Sequence, residues 1–256
     1  IEEIDRPAVA RVRDLLERAR EFANQGRLDR AESLYREVLA LEPDHSGALQ
    51  NLGLIAYKTG HAAHAVTLMA RAVTAGGENP ELLFQLANAH FAAGSSTTAA
   101  GHYRRAIQLE PSFFAALVNL SNTLLQTGDL AAAGEAARRA LALHPASAEA
   151  HSNLGQVQLR RFQAGAAVHS MRRALERAAN ESVSLTNLGA AMQLAGDVDG
   201  AMDCFRQALQ MDPACQLAER NMLFAMLNQP QLSEHDRFET HRRYGARHRK
   251  QGARRV

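Results

Sequence analysis

The sequence predicts an all-α chain built as an α-solenoid, and three observations predict it. Five residue phases recur every 34 positions along the 256 residues, which is the mark of a stacked repeat. Within each period, apolar and small residues fall at i, i+3, i+4 and i+7 in two successive runs, each the face of one helix. A glycine separates the two runs, and a proline closes the second.

The clearest copy is residues 114–147. Leu117, Leu120, Ser121 and Leu124 share a face of its first half; Ala133, Ala137, Ala140, Leu141 and Leu143 do so in its second. Thr127-Gly128-Asp129 makes the turn. Pro145 stops the second helix, because it lacks an N–H and clashes with the preceding turn. The phases extend this unit in both directions. Gly26, Gly60, Gly94 and Gly128 hold the turn, with Gly196 two periods further on. Ala31, Ala65, Ala99, Ala133, Ala167 and Ala201 hold a second phase, and Ala72, Ala106, Ala140, Ala174 and Ala208, with Val38 first, hold a third. Pro43, Pro111, Pro145 and Pro213 share a fourth; Leu52, Leu86, Leu120, Leu154 and Leu188, ending in Met222, share a fifth.

Each phase has a physical role. The turn glycine has no Cβ and accepts positive φ. Ala19, Gly53, Ala87, Ser121, Gly155 and Gly189 let two helices approach closely, and Tyr35, Met69, Tyr103, Met171 and Phe205 fill the space opposite. One helix pair cannot bury its apolar face, so neighbours must stack.

Taken in order, residues 1–11 are a charged lead-in carrying Pro7. The array covers residues 12–229, with repeats starting near 12, 46, 80, 114, 148 and 182 and a partial one at 216. The first repeat opens with a polar helix (Arg13, Asp14, Glu17, Arg18, Arg20, Glu21), as a terminal cap should. The second has Gly77 in place of the proline, which predicts a looser link, and places His61 and His64 at i, i+3 as surface histidines. The third begins at Pro80, suited to a first helical turn, and its Ser95, Ser96, Thr97 and Thr98 offer N-caps. The fifth has Phe162 where glycine belongs and Ala179 where proline belongs, which predicts a distorted turn or a changed angle. Residues 230–256 form a basic connector: Ser233 is an N-cap with Asp236 three residues later, and residues 237–256 hold eight basic residues against Glu239 alone.

The Leu-Gly, Tyr, Gly, Ala, Phe/Tyr, Ala and Pro offsets resemble the tetratricopeptide (TPR) repeat. That resemblance implies a right-handed superhelix of about six to seven helix pairs whose first helices line a concave surface. It implies protein binding as the general role, since the fold serves many partners.

Composition narrows the function. Lys+Arg 29 against Asp+Glu 27 gives a net charge of +2, so the chain as a whole is no polyanion binder. The arginine and alanine richness reads as compositional bias. Cys204 and Cys215 lack metal-ligand spacing and read as packed thiols of a reduced, cytoplasmic protein. No transmembrane run appears. The start at Ile1 suggests a processed or trimmed chain. No phosphate loop, nucleophile elbow or metal cluster is present, so neither catalytic residue, cofactor nor metal is expected.

Three constellations remain. Asn51, Gln85, Asn119, Asn153, Asn187 and Asn221 recur at one phase, just before the leucine phase of each first helix. A side-chain amide donates and accepts, so such a row is suited to grip the backbone of an extended polypeptide; the competing reading is local packing. Arg36, Arg71, Arg104, Arg105, Arg138, Arg139, Arg172, Arg173 and Arg206 lie in second helices. Without interleaved aromatics they read as a solvated outer face rather than a nucleic-acid surface.

The third is the tail. Asn221, Leu223, Phe224, Ala225, Asn228, Pro230, Leu232, Ser233, His241, Arg242, Tyr244, Gly245 and His248 resemble the segment joining the TPR array to the catalytic part in bacterial relatives of O-GlcNAc transferase. That resemblance implies a substrate-recruiting array, separated here from its two-lobed nucleotide-sugar domain. The amide row is similar to that family's asparagine ladder. The alternatives are a free-standing adaptor in secretion, envelope or pilus assembly and, more remotely, a nucleic-acid-associated array using the arginine tail. A chaperone-tail clamp is disfavoured, because residues 80–93 and 114–127 contain no Lys or Arg. A homo-oligomer is compatible with all of these.

Overall fold

The computed structural model describes residues 6–176, 182–227, 233–235, 238–239, 241–242 and 245. Among the described residues the fold is thirteen α-helices and no strand. The chain divides into two compact units, Ile1–Thr127 and Gly128–Val256. The first holds α1 (Arg6–Asn24), α2 (Leu28–Leu41), α3 (Ser46–Lys58), α4 (Ala62–Gly76), α5 (Pro80–Ala92), α6 (Ser96–Leu109) and α7 (Phe114–Thr127). The second holds α8 (Leu130–Leu143), α9 (Ala148–Arg160), α10 (Ala164–Leu175), α11 (Ser182–Leu194), α12 (Val198–Met211) and α13 (Gln216–Met226). From α3 onward the odd-numbered helices start every 34 residues, at Ser46, Pro80, Phe114, Ala148, Ser182 and Gln216. Helix α1 begins at Arg6, ahead of the first period, so the lead-in is partly helical.

The small and large phases meet as steric complements. Ala31, Ala65, Ala99, Ala133, Ala167 and Ala201 are fully buried, as are Tyr35, Met69 and Phe205. A Cβ added to Gly53 would lie 2.6 Å from Met69 Cγ, one on Gly155 2.7 Å from Met171 Cγ, and one on Gly189 2.5 Å from Phe205 Cε1. These glycines are therefore needed inside helices, where glycine ordinarily costs about 1 kcal/mol against alanine.

Turns and caps follow local chemistry. Asp129 and Asp197 accept from the N–H groups of Ala132 and Gly200, and Ser147 accepts from Ala150, as N-caps do. Asn79 caps α5 with Pro80 in its first turn. Ser95 stands at the N-cap of α6 but its side chain makes no capping bond. The link after α4 is closed rather than loose: Gly77, at φ 81°, donates its N–H to the Val73 carbonyl, and Ser46 Oγ donates to the Ala72 carbonyl at 2.9 Å.

The turn at Phe162 keeps the geometry of its glycine counterparts. The Gln163 N–H reaches the Gln158 carbonyl at 2.9 Å, as Ser95 reaches His90 at 2.8 Å and His61 reaches Ala56 at 2.8 Å. Phe162 takes φ 58°, the one positive φ outside glycine among the described residues. The expected distortion is thus absorbed by one residue held in the left-handed region, not by the turn. Ala179 lies outside the described residues.

Candidate functional site

The amide row falls on odd-numbered helices in both units, and its members differ in what they touch. In the first unit every amide is engaged. Asn51 Nδ2 donates to the Gly47 carbonyl of its own helix at 2.7 Å. Gln85 accepts from Gln50 Nε2 at 3.1 Å, joining α5 to α3, and donates to Glu81 at 2.7 Å. Asn119 Nδ2 donates to Asn88 Oδ1 at 2.9 Å, joining α7 to α5. That same Oδ1 accepts the Tyr103 hydroxyl proton at 2.5 Å. Burial pushes Tyr103 up to about 12, opposed by its hydrogen bond with Asn119 and aided by Tyr57, so the phenol is a neutral donor at physiological pH.

In the second unit Asn153 is buried and has an interaction of its own. Asn187 on α11 and Asn221 on α13 are half-buried, and their side-chain amides have no hydrogen-bond partner among the described residues. Helices α9, α11 and α13 pack side by side in chain order. Asn187 shares a helical face with Ala190 and Leu194, and Asn221 with Phe224, by the i+3 and i+7 spacing. Gln50 and Asn88, which consume amides of the first unit, stand outside the 34-residue phase of the row. That is why sequence spacing alone passes over them.

Six of the nine arginines of the second-helix row are compensated. Arg36 pairs with Glu32, Arg71 with Asp44, Arg105 with Glu78, Arg138 with Glu135, Arg173 with Glu176 and Arg206 with Asp203. Exposed pairs of this kind contribute about 0–1 kcal/mol each; here they lower the net positive field of the second helices. Cys204 is buried beside Met192, and burial raises its thiol pKa, aided by Asp203 and Asp197 and opposed by Arg172. Cys215 Sγ lies 3.8 Å from Thr186 Oγ1. Among the described residues no group of three or more His, Cys, Asp or Glu side chains is arranged to hold a metal, and no helix is long and apolar enough to cross a membrane.

A histidine pair not evident from spacing lies in the first unit. His90 on α5 and His102 on α6 stack, with ring centroids 5.3 Å apart and planes at 15°. Burial pushes both below the usual histidine range; the charge of His102 lowers His90 further, while Glu78 opposes the shift of His102. With folded values below the unfolded value of 6.5, the unfolded state binds more protons in that window. The pair's stability contribution is therefore complete above about pH 6.5 and is lost as pH falls below it. The melting temperature should drop from about pH 7 to about pH 5.5, and a His90→Asn/His102→Asn variant should show a shallower drop. An unchanged slope would contradict this.

In the tail, residues 234–235, 238–239, 241–242 and 245 are helical, and Arg242 pairs with Glu239 at 2.8 Å. Asn228, Pro230, Leu232, Asp236, Tyr244 and His248 lie outside the described residues.

Sequence models described as the tetratricopeptide repeat match residues 16–80, 84–148 and 122–182, and a second such model matches residues 183–211. No functionally curated protein matches the chain. Solved structures do. PilF of Pseudomonas aeruginosa aligns with a TM-score of 0.71 at 15% identity, over 84% of this chain and 98% of that one. PilW, described as a type IV pilus biogenesis factor, aligns with a TM-score of 0.70 at 14% identity, over 82% and 98%. A tetratricopeptide repeat protein of Parabacteroides merdae aligns with a TM-score of 0.68 at 15% identity, over 90% and 97%. At these identities the likeness is one of fold.

Proposed function

Because the chain belongs to the tetratricopeptide repeat family, whose models span most of residues 16–211, and is accordingly a protein-binding repeat module, we propose that it holds an extended polypeptide along the amide row. The observation that carries this reading is the state of Asn187 and Asn221. Both lie on neighbouring first helices of the second unit, half-exposed, with side-chain amides lacking a partner among the described residues. An amide in that state donates to one peptide carbonyl and accepts from one N–H, and two of them fix an extended strand with little regard to its side chains. In the first unit, Gln85 and Asn119 share the 34-residue phase and take part in hydrogen-bonded ties between helices. Asn51, whose amide is bonded to the Gly47 carbonyl, and the buried Asn153 are the remaining members by phase. A fluorescence-anisotropy titration tests the class of partner. Reduced, carboxymethylated α-lactalbumin should bind while the native form should not. Equal binding of both, or of neither, counts against a backbone grip.

Two narrower roles rest on this one. Recruitment of polypeptide substrates for an O-GlcNAc transferase-like glycosyltransferase is supported by the tail motif beginning Asn221, Leu223, Phe224 and Ala225. An adaptor role in pilus or envelope assembly is supported by the fold shared with PilW. The gene sequence separates them: a nucleotide-sugar domain encoded directly after Val256 would fit the first and oppose the second.

A further inference from the structure

Phe162 is unfavourable twice over. It holds φ 58° where Gly26, Gly60, Gly94, Gly128 and Gly196 hold 74–86°, a left-handed region that is sterically unfavourable for a residue with a Cβ. Its ring is also 80% exposed. A strained backbone that displays an aromatic ring to solvent is an outlier that asks for a role in binding. The ring does not stand alone. It lines a groove of about 650 Å³ in the second unit with Leu159, Ala190, Leu194 and Phe224. Phe224 is 61% exposed and Leu194 41%.

Three features specify what fits there. The walls are apolar and aromatic, which suits one bulky hydrophobic side chain. Arg160 is the charged member of the lining, and Arg161 follows it in the turn. Arg160 already has an interaction within the protein, but a guanidinium carries five N–H donors and can donate to a carboxylate beside it, so the complement is a carboxylate. Finally, the groove shares its helices with the unpartnered amides: Asn187 stands one turn before Ala190 on α11, and Asn221 one turn before Phe224 on α13. A strand gripped at Asn187 and Asn221 thus passes the mouth of the groove. Gln193 adds a wall whose Nε2 is buried without a hydrogen-bond partner among the described residues.

Resting on the polypeptide-binding reading, we propose that the Phe162–Phe224 groove is a specificity pocket. It takes a large apolar side chain of the bound polypeptide, with an acidic residue beside it meeting Arg160. The amides supply the sequence-independent grip, and the groove supplies the choice of register.

The probe is a short fluorescein-labelled glycine/serine peptide with a central phenylalanine–aspartate pair, compared with one in which alanine replaces the phenylalanine and one in which lysine replaces the aspartate. The wild-type chain should prefer the phenylalanine peptide about tenfold over the alanine peptide, as burial of most of an aromatic side chain allows, and should disfavour the lysine peptide. Phe162→Gly and Phe224→Ala should each abolish the phenylalanine preference. Phe162→Gly also restores the residue type that the turn favours, so its melting temperature should hold or rise. Loss of preference in that variant therefore cannot be misfolding. Asn187→Ala should weaken all three peptides alike and leave the preference intact, which separates failure of the grip from failure of the pocket. No preference in the wild type, or a preference that survives both phenylalanine variants, overturns the proposal. So does a wild-type dimer that Phe162→Gly dissociates, since a second copy would then be the occupant. A preference that emerges only when Leu232, Phe238 and Tyr244 are all changed to serine makes the chain's own tail the occupant, and equally overturns it.

Discussion

Replacing Phe205 by alanine should destabilise the second unit by about 3–5 kcal/mol, the range for emptying a buried aromatic site. The ring is fully buried and fits against Gly189 so closely that an added Cβ would meet three of its atoms at 2.5–3.0 Å. A cavity there cannot close from the glycine side, because Gly189 has no side chain to move in. The reciprocal change gives a sign that separates packing from propensity. Gly189→Ala gains about 0.8–1.0 kcal/mol of helix propensity but overpacks the contact at a cost of about 1–3 kcal/mol. The net effect should be destabilising. Gly101→Ala, also inside a helix but with nothing within 4 Å of the added Cβ, should instead stabilise by up to about 1 kcal/mol. Thermal and urea melts followed by far-UV circular dichroism read all three. A stabilised Gly189→Ala would mean that the helices do not meet as described.

The second large effect concerns the polar tie in the first unit. Asn88→Leu should destabilise it by about 1–3 kcal/mol, because one acceptor there serves two donors. Tyr103 OH is fully buried and would lose the acceptor of its proton, and the Asn119 amide beside it is a donor there, so the proton would be left unsatisfied. Asn119 is half-buried and can turn its amide toward water, so it adds less. A Tyr103→Phe change on top of Asn88→Leu should recover much of the loss, since it removes the orphaned donor. If the double variant is as unstable as the sum of the singles, the hydrogen bond is not what holds this contact.

Much of this fold was legible because a period of 34 constrains every residue in it. The starts of α3, α5, α7, α9, α11 and α13 follow from helical periodicity and turn chemistry alone. The pairing of Gly53 with Met69, and of Gly189 with Phe205, follows from small and large residues held at fixed offsets. The turn at Phe162 was legible as an exception but not in its form. Sequence shows that glycine is missing, whereas only the backbone shows that phenylalanine takes up glycine's conformation. The amide row was legible as a phase and not as a set of environments. Whether an amide is free depends on neighbours such as Asn88 and Gln50, which lie off the phase on adjacent helices and so leave no periodic trace. His90 and His102 meet across a turn for the same reason. The groove joins Phe162, Leu194 and Phe224 from three repeats, one of them read from sequence as part of a connector motif.

If Asn187 and Asn221 hold a polypeptide backbone, removing both side-chain amides should weaken the grip without disturbing the fold. The binding of carboxymethylated α-lactalbumin to Asn187→Ala/Asn221→Ala should be compared with wild type, with melting temperature measured alongside. Each amide contributes about 0.5–1.5 kcal/mol as an ordinary hydrogen-bonding group, so the pair should weaken binding about tenfold. The melting temperature should stay unchanged, because neither side-chain amide has a partner among the described residues. Unchanged affinity at an unchanged melting temperature would contradict the account, and a large loss of melting temperature would assign both asparagines to packing instead.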